Sequence, residues 1–140
     1  MGAHALSAVK AAYVIGQADD PAGTIVVYVF DAPVSCTELG SPGWDSRIAD
    51  STGVLEMKLI GKVVGTYPVA AMAQSKQASV NFVLSSRSGT PKEQAASGGS
   101  VQLVKLSADG TGEGSFELTF GADTTKGTFA AAACAGGHEP

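Results

Sequence analysis

Apolar and polar positions alternate with a period of two along most of the chain, a pattern that predicts strands rather than helices. Residues 54–60 (VLEMKLI) set Leu55, Met57 and Leu59 on one face and Glu56 and Lys58 on the other, which reads as a half-exposed strand. Residues 78–86 place Val80, Phe82 and Leu84 on one face, and residues 113–120 bury Phe116, Leu118 and Phe120 while turning Ser115, Glu117 and Thr119 outward. The run Thr24–Phe30 (TIVVYVF) is apolar on both faces and rich in β-branched residues, so a central strand is expected there, ended by Pro33.

The remaining segments fall between these. Residues 6–16 read as a first strand closed by the turn 17–23. Residues 63–69 read as a strand entering an edge, because Pro68 cannot donate to a ladder. Residues 70–76 fit a short helical turn or a loose strand, and the polar stretch 87–99 reads as a mobile hairpin loop. In the last third, residues 100–106, 113–120 and 125–133 form a three-strand meander through turns at 107–112 and 121–124. The final segment 127–134 carries small residues, suited to close packing of sheet on sheet, with a helical turn over 130–133 as its competitor. Residues 34–53 are the longest irregular connection, of the kind that is functional or wrapped over a core. The expectation is an all-β fold: one domain over residues 1–140, an antiparallel β-sandwich of seven or eight strands, jelly-roll or Ig-like.

Composition narrows the function classes. Only 16% of the residues are charged and 18 are Gly, which excludes a coiled coil and favours a turn-rich β protein. Nine basic against thirteen acidic residues give a net charge of −4, and the basic ones are scattered singly, against a nucleic-acid partner. The longest apolar stretch is strand-length, so no transmembrane segment is expected and the chain reads as soluble. Lys10 breaks the only candidate signal-peptide core. An exported protein would therefore stand here as a mature segment behind an added Met.

Cys36 and Cys134 are either two small buried thiols or a pair. Each sits at the edge of an apolar segment where a bridge would staple a terminus to the body, and the bridge is the favoured reading; it would place the chain outside the cytoplasm. The two histidines, His4 and His138, lie near the ends, so a Ser-His-Asp or Cys-His arrangement lacks a base. The pairs Asp19 and Asp20, Asp45 and Asp50, and Asp109 and Glu113 fall in turns. The Asp109–Glu113 stretch reads as a hairpin turn, since it offers about half of the six or more oxygens that calcium takes. No catalytic residue, metal or cofactor is expected. Trp44, beside Asp45 and Arg47 in the long connection, either stacks on a ligand or anchors the loop onto the core, and the anchor is favoured.

The segments 113–120 (EGSFELTF) and 126–131 (KGTFAA), followed by Cys134, resemble the close of small secreted or lipoprotein-type domains of Gram-negative bacteria. Cys36 after an apolar strand and Gly65-Thr66-Tyr67 midway add to the likeness. The resemblance implies export, a β-sandwich and a Cys36–Cys134 bridge, and it implies no activity. The expected function is a non-enzymatic extracytoplasmic module at a bacterial cell surface: secreted, periplasmic or on the outer surface. It would bind a protein partner or itself through strand edges or the 34–53 loop. The alternative is a domain for a small apolar molecule or a glycan, with Trp44 and Tyr67 at its site and Asp45 and Arg47 beside them.

Overall fold

A computed structural model describes residues 9–16, 23–40, 44, 48, 52–61, 63–85, 92–107 and 110–134. Its strands are β1 (Ala11–Gly16), β2 (Thr24–Phe30), β3 (Gly53–Ile60), β4 (Gly65–Pro68), β5 (Ala78–Leu84), β6 (Lys92–Ala95), β7 (Gly98–Leu106), β8 (Gly112–Phe120) and β9 (Asp123–Ala133), with a 3₁₀ helix at Cys36–Gly40. The fold is all-β. The nine strands form one hydrogen-bonded sheet in the order β4-β7-β8-β9-β1-β2-β3-β5-β6.

The sheet folds over on itself, so that β4-β7-β8-β9 and β1-β2-β3-β5-β6 bury their inner faces against each other. The enclosed cluster takes Val27, Leu55, Met57 and Phe82 from one half and Tyr67, Leu103, Leu118 and Phe120 from the other. Across it the rings of Phe82 and Phe120 meet edge to face at 6.2 Å. The strand alternation read from the sequence is the cause: in β3, β5 and β8 the residues expected to face inward are buried, apart from the partly buried Leu84, while Val54 and Val83 are buried on the opposite face. The expected meander is present as β7, β8 and β9, its last hairpin closed by Gly121 and Ala122, with Gly121 at φ 65°.

Three features depart from the sequence expectation. Within the polar stretch 87–99, Lys92–Ala95 forms β6 and pairs with β5, making nine strands among the described residues where seven or eight were expected. The sheet is mixed, because β1 pairs with β9 in parallel at Tyr13↔Ala132 and Val14↔Ala133. The 34–53 connection contains the 3₁₀ helix, whose start carries a reciprocal cap. Glu38 N–H donates to Ser35 Oγ at 3.3 Å, and Ser35 N–H donates to Glu38 Oε2 at 3.2 Å.

A second apolar cluster lies on the opposite face of the β1-β2-β3-β5 half. There Val26, Tyr28 and Phe30 of β2 pack with Val34, Leu39, Trp44 and Ile48 of the connection. This explains why every residue of β2 is buried: one face lies against the folded sheet and the other under the connection. The disulfide between Cys36 and Cys134 ties the 3₁₀ helix to the end of β9. Closing 98 residues of chain separation, it stabilises by roughly 4–5 kcal/mol in the chain-entropy picture.

Candidate functional site

The residues singled out from the sequence do not converge. Trp44 is 1% exposed, held edge-on against Tyr28 at 5.1 Å and Phe30 at 5.6 Å. It anchors the connection onto the sheet. Tyr67 is also 1% exposed but lies in the inner cluster, on the other side of the sheet. Its hydroxyl donates to Val63 O at 2.6 Å and accepts from Val63 N–H at 3.3 Å. Asp45 and Arg47 lie outside the described residues, as do His4, His138, Asp19, Asp20, Asp50 and Asp109.

Burial removes the stacking platform of the glycan reading. All nine aromatic residues of the chain are described, eight are buried, and the half-buried Tyr13 spends its hydroxyl on Val34 O at 2.5 Å. Sugar recognition by stacking needs an exposed ring face, and here the aromatic area serves the two cores.

The strand edges and the 34–53 loop also change in character. The terminal strands β4 and β6 have four residues each, with Pro68 in one and Lys92 and Glu93 in the other. Short, charged or proline-bearing edges resist pairing with another chain. The described part of the loop is packed down by Leu39, Trp44 and Ile48.

One broad surface is left, the outer face of β4-β7-β8-β9. Ladder register aligns eight of its outward residues into two rungs. Thr66 lies opposite Gln102, Gln102 opposite Ser115 and Ser115 opposite Thr128. Beside them Pro68, Ser100, Glu117 and Lys126 form the second rung. At the strand spacing of about 4.8 Å each rung crosses roughly 14 Å. All of these residues except Pro68 line a shallow open groove of about 500 Å³. The Thr66 rung offers only neutral hydroxyl and amide groups, and the Pro68 rung adds one charge of each sign directly opposite one another. The period-two pattern alone identified the outward residues of β8, but their alignment with Thr66 and Gln102 depends on pairings between distant segments.

Such a face can donate and accept hydrogen bonds over a flat area, and it holds no histidine or thiol. Among the described residues the buried hydroxyl side chains of Ser and Thr are Thr24, Thr52, Ser85 and Thr125, none of them a base at neutral pH. Among the described residues no three His, Cys, Asp or Glu side chains gather as metal ligands, and no helix is long and apolar enough to cross a membrane. No family model matches the chain, and no curated protein or solved structure shows significant similarity to it.

Proposed function

We propose that the chain is a disulfide-stapled binding module that works by contact, without catalysis, on the extracytoplasmic side of a bacterial cell. Its contact surface is the outer face of β4-β7-β8-β9 and its partner is another protein. The observation that carries this reading is the pair of aligned polar rungs on a face that no other part of the described chain covers. A row of neutral hydrogen-bonding groups is cheap to desolvate when each finds a partner, and it is selective because an unmatched group loses affinity. The disulfide supports the compartment, since such bridges persist in oxidising surroundings.

The test is retention of the purified, oxidised chain on washed bacterial envelopes. Saturable retention is expected. Replacing Gln102 and Ser115 together by Arg should abolish it, with the thermal midpoint unchanged because Gln102 is exposed and Ser115 half-exposed. Retention unaffected by both changes removes this face as the contact surface. Sedimentation at micromolar concentration separates a foreign partner from a second copy: a dimer dispersed by the same substitutions makes the partner the chain itself.

A further inference from the structure

We infer that the partner of the β4-β7-β8-β9 face is a second copy of the chain, held face to face about a two-fold axis that runs along the strands midway between β7 and β8. The inference rests on the reading of that face as the contact surface and names what meets it. A two-fold interface is isologous: if one residue touches another across it, the mates of both touch in return. Rotation about this axis lays β7 on β8 of the other copy and β4 on its β9, with each rung meeting its own mate.

The register of the ladders fixes the pairs. Lys105 lies opposite Glu113 on the neighbouring strand, so the rotation sets Lys105 of each copy against Glu113 of the other. Gln102 meets Ser115 and Thr66 meets Thr128, with donors and acceptors on both sides. Ser100 brings a hydroxyl to Glu117, and no charge is laid on one of its own sign. The choice of axis is narrow. An axis along β8 itself would superpose Glu113 on Glu113 and Glu117 on Glu117. One between β8 and β9 would match Glu117 with Lys126, but it would leave Glu113 over Ala130 and carry β7 and β4 beyond β9, where the sheet turns over. A foreign partner demands no such relation between β7 and β8; self-recognition demands it.

Shape agrees with charge. The register shift between Leu103 and Lys105 makes Val104 an extra residue, and it stands 60% exposed. With Gly114, Ser115, Thr128 and Ala130 it lines a shallow groove of about 450 Å³. The same rotation carries Val104 of one copy over β8 of the other, between Glu113 and Ser115, and brings the two Val104 side chains together beside the axis. Apolar area that water now meets is buried there.

The face is about 20 Å across its four strands and about 25 Å along them, so the pair buries roughly 1,000 Å² in all. That lies at the lower limit of specific interfaces, so the dimer is weak and forms as concentration rises. Pairing of the sheet ends is closed to a second copy, because β4 and β6 are short and carry Pro68 or charges.

The experiment is sedimentation of the oxidised 140-residue chain from micromolar to millimolar concentration, where a monomer–dimer equilibrium is expected. Lys105→Glu and Glu113→Lys, at side chains 67% and 55% exposed, should each weaken it about tenfold or more, because symmetry makes every change twice. An equimolar mixture of the two variants should recover the dimer, since each altered side chain then faces an opposite charge on the other copy. The Lys105–Glu113 pair within each chain stays broken in that mixture, so recovery reports the contact between copies alone. Both variants keep a negative net charge, so net attraction does not bring them together. Val104→Asp should disperse the wild-type dimer as well. Monomer at every concentration overturns the inference, as does a dimer indifferent to these three substitutions or a pair of weakened variants that mixing does not recover. Envelope retention still lost on replacing Gln102 and Ser115 by Arg would then leave the contact-surface reading standing with a foreign partner; retention indifferent to that change removes both.

Discussion

Phe129 lies directly opposite Gly114 across the β8/β9 ladder, and a methyl group placed on Gly114 would come within 2.8 Å of the ring's Cζ. The relationship is reciprocal two rungs away, where Phe116 faces Gly127. Each phenyl ring thus covers a glycine on the neighbouring strand, and the repeated Gly-x-Phe spacing of the two strands is the trace of it. Gly114 has a second constraint beside the bulge: its Cβ would sit 2.1 Å from the Gln102 carbonyl oxygen.

Backbone cannot yield to a side chain as a flexible ring can, so Gly114→Ala is expected to cost about 2–3 kcal/mol. Gly98→Ala, with nothing within 4 Å of the added carbon, should stay within about 0.5 kcal/mol of wild type. Urea midpoints of the two variants check this, and equal midpoints would remove the close-approach explanation.

Trp44 is expected to emit as a buried indole and to resist quenching by acrylamide. Trp44→Ala should destabilise by about 3–5 kcal/mol, since it empties the centre of the outer cluster. Emission at the wavelength of a solvated indole would contradict the placement against Tyr28 and Phe30.

Native protein should show no thiol reactive to label, and its mass should rise by two labels per chain only after reduction under denaturing conditions. Replacing Cys36 and Cys134 together by Ala is expected to cost about 4–5 kcal/mol. Because the bridge anchors the 3₁₀ helix, the same variant should also make Trp44 more accessible to quencher. A large stability loss without that change would mean the connection is held by its apolar contacts alone.

The Ser35–Glu38 cap is open to a double-mutant cycle. Ser35→Ala and Glu38→Ala are each expected to cost about 0.5–1 kcal/mol, and the double variant less than the sum, because either change breaks the reciprocal pair. Strict additivity would mean that the two hydrogen bonds act independently.

Much of the fold is legible in the residues. The inward positions of β3, β5 and β8 follow from alternation, and the double-sided apolar run of Thr24–Phe30 announced a strand covered on both faces. The Cys36–Cys134 pairing and the anchoring role of Trp44 were both the favoured readings. Strand β6 escaped because Lys92, Glu93, Gln94 and Ala95 carry no apolar alternation; it exists because the free edge of β5 offers backbone donors and acceptors that this segment satisfies. The 3₁₀ helix had a local signal in Ser35-Cys36-Thr37-Glu38, which reads as a capping box once it is sought.

The candidate surfaces were much less legible. Tyr67 looked available in sequence because Pro68 places its segment at an edge, yet the ring is buried in the inner cluster. The parallel contact of β1 with β9 could not be read from either strand, since both also fit antiparallel hairpins with their sequence neighbours.

By itself the sequence determined which residues of each strand face inward, because side-chain alternation is a property of the local backbone. It also determined where the chain turns, through Gly, Pro and Asp, and how its charge is distributed. Only the tertiary structure decided which strands are neighbours, that Trp44 and Tyr67 lie on opposite sides of the sheet, and that Thr66, Gln102, Ser115 and Thr128 share one rung. Those outcomes depend on ladders between distant segments, whose partners are chosen by competition for burial across the whole chain rather than by any residue's own preference.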